Sequence, residues 1–118
     1  MKKKEINNFK RPWGKYFIIE ENENYKIKRI EVNSKSRLSY QYHLKREESW
    51  TIIHGKGIVT IDGVEQKVVA GESIKIKKES KHRIFNSGDT PLIFIEVQTG
   101  TYFGEDDIVR IEDDYNRV

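Results

Sequence analysis

Short segments in which apolar and polar residues alternate, separated by turn-forming residues, make up most of this sequence. Residues 25–32 (YKIKRIEV) alternate over the whole segment, which is typical of a strand with one buried face. Residues 58–61 and 64–69 flank Asp62-Gly63, a dipeptide favoured in type I′ hairpin turns. Further strands are expected at residues 38–43, 50–54, 72–77, 82–85 and 92–98. Many short strands with regular turns predict an all-β barrel or sandwich.

The length of 118 residues is enough for one domain with its own core. We expect a single domain over residues 1–118, with residues 1–8 as a polar lead. The chain contains no cysteine, so neither disulfides nor cysteine ligands contribute. Neither a leader nor an apolar run of about 18 residues is recognisable, so we expect a cytoplasmic protein with no membrane partner.

The charges of this chain are separated along the sequence and nearly balanced overall. Lysine and arginine number 22 against 19 aspartates and glutamates, a net charge of +3. Basic residues gather at positions 2–4, 26–29 and 75–81, whereas residues 104–115 are acidic. This distribution argues against a nucleic-acid partner and is compatible with a basic pocket for a small sugar phosphate.

Two stretches carry residues that are suited to binding a metal ion. Gln41 and His43 lie two positions apart, so on a strand both side chains leave the same face, and Glu48 follows a turn-like LKRE segment. His82 in the second stretch is a fourth candidate. Two imidazoles, a carboxylate and an amide oxygen suit a divalent ion, zinc first and otherwise Mn, Fe, Co or Ni. The alternative is a hydrogen-bonded polar cluster without metal, which Lys45 favours because an ion would repel its ammonium group.

The chain resembles the cupin domain of the type II phosphomannose isomerases, which commonly forms the C-terminus of bifunctional mannose-1-phosphate guanylyltransferase/mannose-6-phosphate isomerases. The matching motifs are RPWGKY at 11–16, LSYQYH at 38–43, REESW at 46–50, HRIFN at 82–86 and IEVQTGTYFGEDDIVR at 95–110. The resemblance implies a cupin double-stranded β-helix, or jelly-roll barrel, here as a standalone domain. It implies the same metal set, namely Gln41, His43, Glu48 and His82. The chain departs from the family pattern HHHRAEHW at Leu44, Lys45 and Ser49, which replace histidines.

The activity that the resemblance implies is a metal-dependent aldose-ketose isomerisation between mannose 6-phosphate and fructose 6-phosphate. The general base is expected to be Lys45, if it is buried beside the ion, or Glu96, if it faces the barrel lumen. We assign Arg110 to catalysis and phosphate binding, and Arg11 and Arg83 to substrate binding, because guanidinium groups match phosphate oxygens. Gln98, which shares its strand parity with Glu96, is also assigned to substrate binding.

Two other functions remain open from the sequence. The first is a non-catalytic sugar-binding or regulatory cupin, and the second is another sugar-modifying cupin such as a nucleotide-sugar epimerase. A homodimer is also expected, because an alternating strand such as residues 25–32 could lie at a sheet edge that a second copy covers.

Overall fold

The computed structural model describes residues 8–117, and all the regular secondary structure among them is β-strand. The predicted polar lead therefore lies outside the described residues except for Asn8. The strands are β1 (Asn8–Arg11), β2 (Gly14–Glu21), β3 (Tyr25–Val32), β4 (Tyr40–Tyr42), β5 (Arg46–His54), β6 (Lys56–Ile61), β7 (Val64–Val69), β8 (Ser73–Ile76), β9 (His82–Asn86), β10 (Leu92–Gly100) and β11 (Val109–Glu112). None of the described residues belongs to a helix long and apolar enough to span a membrane.

The strands form two antiparallel sheets. One sheet has six strands in the order β1-β2-β3-β10-β5-β8, and the other has five in the order β11-β4-β9-β6-β7. Because β5 lies in the first sheet and β6 in the second, the chain crosses from one sheet to the other between consecutive strands. The all-β prediction is confirmed.

The hairpin between β6 and β7 forms where the sequence predicts it. Asp62 and Gly63 have φ angles of 47° and 83°. Type I′ turns require positive φ at both central residues, and an Asp-Gly pair meets this requirement at low conformational cost. The register Ile61↔Val64 closes the hairpin directly around these two residues.

β3 lies inside its sheet, between β2 and β10. The expectation that residues 25–32 form a sheet edge is therefore wrong, and the homodimer derived from it stays an unsupported prediction. Lys26, Lys28, Ile30 and Val32 are buried on one face of the strand. The alternation in this segment thus changes phase, because charged residues occupy the inward positions in its first half and apolar residues in its second half.

The space between the sheets has an apolar part and a polar part. On β10, Phe94 packs beside Trp50 with ring centroids 4.8 Å apart, whereas Glu96 and Gln98 continue the same buried face. The change from apolar to polar residues occurs at the same level on the neighbouring strand β3, where Ile30 lies opposite Phe94 and Lys28 lies opposite Glu96. Burying such polar groups is costly unless they find partners. The fold therefore builds a polar layer next to its core, and the candidate site lies in this layer.

Candidate metal centre and adjoining cavity

Three of the predicted ligands come together between the two sheets. His43 follows β4, Glu48 lies on β5 and His82 begins β9, and one ligand atom from each lies within 4.8 Å of the others. All three are buried, with at most 3% of the residue surface exposed. A group of this kind could hold a metal ion, as predicted for these residues.

Both imidazoles are held in an orientation suited to ligation. The Nδ1 of His43 is 2.6 Å from the backbone oxygen of Asp107, and the Nδ1 of His82 is 2.8 Å from that of Ser80. A carbonyl can only accept, so each Nδ1 carries the proton and each Nε2 keeps a lone pair. The Nε2 of His82 is buried with no hydrogen-bond partner in the structure. A buried, unpartnered lone pair beside a carboxylate and a second imidazole fits a divalent ion.

The environment also keeps both imidazoles neutral, which is the form that binds metal. Burial, together with the nearby Arg46 charge, lowers the pKa of His43 to about 4. Burial is the main reason that the pKa of His82 is also lowered. At neutral pH neither ring therefore has to lose a proton before it can bind an ion.

Arg46 is the main competitor for these ligand atoms. Its Nε donates to Glu48 Oε2 at 2.9 Å, and its Nη2 is 3.3 Å from the Nε2 of His43. The other oxygen of Glu48 accepts a hydrogen bond from Trp50 Nε1 at 3.0 Å. An ion held by His43 and Glu48 would therefore require the Arg46 side chain to give up its contact with the imidazole.

Gln41 lies on the same face as the cluster. It pairs directly with His82 across β4 and β9, and residues that lie opposite each other in an antiparallel pair share a face. It lines the cavity beside Glu48, and its Oε1 is 3.3 Å from the hydroxyl of Ser39. This position is compatible with the predicted role of Gln41 as a fourth ligand, which stays a proposal.

Glu96 is the second buried carboxyl group of the site. Trp50 lies directly opposite it on β5 and donates its indole N–H to Glu96 Oε1 at 3.0 Å, while Gln98 Nε2 donates to Oε2 at 2.7 Å. Burial first, and then the neighbouring Glu48 carboxylate, raise the pKa of Glu96 to about 7. Glu96 therefore faces the interior, one of the two placements considered from the sequence. Gln98 is fully buried behind it.

An open cavity adjoins the cluster and is rich in cationic side chains. Glu48 and Glu96 line it, as do Gln41 and Tyr16. Its basic lining residues are Arg11, Lys28, Arg46, Arg110 and Arg117. The Nε of Arg110 is buried and has no hydrogen-bond partner within residues 8–117, and burial together with the Arg117 charge lowers the pKa of Arg110. This concentration of guanidinium groups is suited to an anionic group such as a phosphate.

Lys45 does not lie where the sequence-based hypothesis requires. Its side chain is exposed, and its ammonium group lies 5.1 Å from the ring centroid of Tyr102, which is itself exposed. Only His43, Leu44 and Lys45 lie between β4 and β5, which begins at Arg46. The expected burial of Lys45 is therefore wrong, and the argument that made it a candidate base no longer holds.

Arg83 also lies away from the cavity. Successive residues of a strand point to opposite faces, so an inward-facing His82 places Arg83 on the outer face of its sheet. There its Nε donates to the backbone oxygen of Leu38 at 3.1 Å and its Nη1 to Glu112 at 3.3 Å. The assignment of Arg83 to substrate binding at this cavity is therefore wrong.

Sequence reasoning missed three basic residues that line the cavity, namely Lys28, Arg46 and Arg117. Strand parity identifies the first two. Arg46 alternates with Glu48 and Trp50 once β5 is started two residues before Glu48, and Lys28 shares its parity with Ile30 and Val32. Arg117 follows the last strand, and no strand pattern indicates its position.

The pKa values predict two opposing effects of pH on the stability of the metal-free protein. His43 has a pKa of about 4 when folded against 6.5 when unfolded, so unfolded chains bind more protons between these values and stability falls as the pH is lowered. Glu96 has a pKa of about 7 against 4.5, so its contribution rises as the pH is lowered from 7 to 4.5. We therefore expect Glu96→Gln to lose stability more steeply than the unchanged protein between pH 7 and 5. Urea unfolding with chelator at several pH values measures this, and parallel curves for the two proteins would contradict it.

Comparison with known proteins identifies the family. The family model described as mannose-6-phosphate isomerase C-terminal matches residues 2–113. The chain belongs to this family. It is 45% identical over 108 residues to mannose-1-phosphate guanylyltransferase ManC of Salmonella typhimurium, covering 92% of this chain and 22% of the relative. Alginate biosynthesis protein AlgA of Pseudomonas aeruginosa is 42% identical over the same shares of the two chains. The chain thus spans less than a quarter of these relatives.

The fold is a cupin double-stranded β-helix. A Klebsiella pneumoniae protein whose crystal structure is described as containing a double-stranded β-helix domain superposes with a TM-score of 0.73 at 20% identity, covering 82% of this chain and 83% of that protein. Leu44, Lys45 and Ser49, where this member of the family departs from the pattern HHHRAEHW, are all exposed. The departures therefore lie outside the buried cluster.

Proposed function

We propose that this family member interconverts mannose 6-phosphate and fructose 6-phosphate in a metal-dependent reaction. The observation that carries the proposal is a single cavity that combines three kinds of group. Glu48, one member of the buried His/Glu/His cluster, lines it, the Glu96 carboxyl group with a pKa of about 7 faces it, and several arginines line it. The name of the matching family, mannose-6-phosphate isomerase C-terminal, supports the same reaction.

The metal ion would be held by Gln41, His43, Glu48 and His82. When bound, it would supply Lewis-acid stabilisation of the negative charge that develops on the substrate oxygens during enolisation. The chain contributes the neutral imidazoles and one carboxylate, so the site would keep a net positive charge. Trp50 supports the arrangement by donating its indole N–H to both Glu48 and Glu96, each at 3.0 Å.

Glu96 is the proposed general base. Isomerisation requires removal of a proton from C2 of the aldose and delivery of a proton to C1, while the hydroxyl and carbonyl oxygens exchange roles through a cis-enediol. A group with a pKa of about 7 can accept and return a proton near neutral pH. Hydrogen bonds from Trp50 and Gln98 hold both oxygens of Glu96 in place.

The phosphate group would bind at the basic wall of the cavity, where Arg11, Arg110 and Arg117 lie. Arg11 is anchored there by a hydrogen bond to the Tyr16 hydroxyl at 3.2 Å, and Asp113 accepts two hydrogen bonds from the Arg117 guanidinium. Among the described residues the Nε of Arg110 has no hydrogen-bond partner, so the guanidinium keeps a donor that no protein group satisfies. A guanidinium with a free donor is suited to binding a phosphate oxygen.

A coupled assay for fructose 6-phosphate, run on metal-loaded protein with and without a chelator, tests this function. We expect turnover of mannose 6-phosphate that disappears with chelator and returns when the metal is restored. Binding of mannose 6-phosphate without turnover would instead indicate a sugar-binding domain. Chelator-insensitive turnover of another sugar would indicate a different sugar-modifying activity.

Replacing Arg110 with Gln should weaken substrate binding in a way that depends on the phosphate. A hydrogen bond to a charged group contributes roughly 1.5–3 kcal/mol, so we expect the KM for mannose 6-phosphate to rise roughly 10- to 100-fold. Arg29→Gln is the matched control, because Arg29 pairs with Glu31 and does not line the cavity. An unchanged KM in Arg110→Gln would exclude Arg110 from phosphate binding.

A further inference from the structure

Asp107 joins the segment after β10 to the turn that carries His43. Its side chain is buried, although its neighbour Asp106 is exposed. One carboxylate oxygen of Asp107 accepts a hydrogen bond from the backbone amide of Leu44 and the other from that of Lys45, each at 3.0 Å. Its own backbone oxygen accepts the Nδ1 proton of His43 at 2.6 Å. One residue thus contacts both the imidazole and the backbone that follows it.

The segment around Asp107 is itself anchored to the six-stranded sheet. Glu105 forms an ion pair with Lys28 at 2.6 Å, and Lys26 donates to the backbone oxygen of Phe103 at 3.3 Å. The carboxylate of Glu105 is partly exposed, whereas both lysines are buried on β3. Contacts with β3 therefore anchor the segment that contains Asp107. The hydrogen bonds of Asp107 in turn fix the position of the turn between β4 and β5.

We propose that Asp107 is a positioning residue of the metal centre, which sets the direction of the His43 Nε2 lone pair. The inference rests on the proposed metal site. Asp107 does not contact the Nε2 atom of His43 that would bind the ion. It acts on this imidazole through Nδ1, the other ring nitrogen. Losing such an outer partner of a ligating histidine weakens metal affinity about 10- to 100-fold.

The test uses Asp107→Asn in the full chain, titrated with Co²⁺ in competition with a chelator. Asparagine has the same shape, but it must turn an NH₂ group towards one of the two backbone amides, so one hydrogen bond becomes a contact between two donors. This repulsion should move the backbone at residue 107 away from the turn, and with it the backbone oxygen that accepts the Nδ1 proton of His43. We expect Co²⁺ affinity to fall about 10-fold or more. Asp106→Asn is the matched control, because Asp106 accepts only from the Tyr102 hydroxyl among the described side chains, and its affinity should equal that of the unchanged protein.

A second readout does not depend on metal. In ¹⁵N-labelled protein with chelator, NMR should show the Nδ1–H tautomer of His43 in the unchanged protein and in Asp106→Asn, and a mixture of tautomers in Asp107→Asn. The inference is overturned if Asp107→Asn keeps both the single tautomer and the affinity of the control. Failure of the unchanged protein to bind Co²⁺ would instead refute the proposed metal site, and the tautomer comparison would still decide the role of Asp107.

Discussion

His82→Ala is expected to lose its bound metal ion and its isomerase turnover together. The imidazole is fully buried, its Nδ1 donates to the backbone oxygen of Ser80, and its Nε2 has no hydrogen-bond partner in the part of the chain that the structure describes. Loss of the ion removes several kcal/mol of Lewis-acid stabilisation, which corresponds to a decrease of roughly 10³-fold in turnover. Elemental analysis and the coupled assay on the same preparation measure the two losses.

The third histidine of the chain supplies the control for this variant. His54 is exposed, and its Nδ1 is 3.0 Å from the backbone oxygen of Pro91. His54→Ala should therefore keep both metal and turnover, which separates a ligand effect from a general effect of removing a histidine. If His82→Ala, still folded by circular dichroism, retained its metal, His82 would be removed from the ligand set.

Glu96→Gln is expected to lower turnover by about 10²- to 10⁴-fold while metal content stays the same. Glutamine keeps the shape and can still accept the Trp50 indole N–H, but it cannot take up the substrate proton. His82→Ala is therefore expected to lose the metal ion, whereas Glu96→Gln is expected to lose only the general base. Comparing kcat with metal content in the purified variant distinguishes these outcomes.

Glu47→Gln is the appropriate control for the base. Glu47 lies on β5 between Arg46 and Glu48, but it points to the opposite face and pairs with Lys75 at 3.6 Å. Its replacement should leave turnover unchanged. A Glu96→Gln variant with turnover equal to that of Glu47→Gln would show that another group moves the proton.

The convergence of His43, Glu48 and His82 could be predicted from a short-range rule combined with the family resemblance. Strand alternation places Gln41 and His43 on one face, and the resemblance to the cupin family indicates which second hairpin meets them. In the structure, His43, Glu48 and His82 form a close group that could hold a metal ion. The Asp62-Gly63 turn was predictable from a short-range rule, since its type depends on the conformation of two adjacent residues.

The residues that line the cavity were harder to predict, because the inward face of this domain is not uniformly apolar. Lys26 and Lys28 occupy inward positions that an apolar pattern would reserve for core residues, and their burial depends on Glu105, which is distant in sequence. The strand predicted at residues 50–54 starts four residues earlier, at Arg46, and this error likewise concealed Arg46. The fold was predicted correctly. The prediction of the cavity-lining residues was limited by long-range ion pairs and by the uncertainty of strand boundaries.

Anomalous diffraction from crystals grown with Zn²⁺, recorded on both sides of the zinc absorption edge, tests the central claim most directly. The account predicts one strong peak between the two sheets, in contact with the side chains of Gln41, His43, Glu48 and His82. Absence of a peak there, or a peak that His82 does not contact, would contradict it.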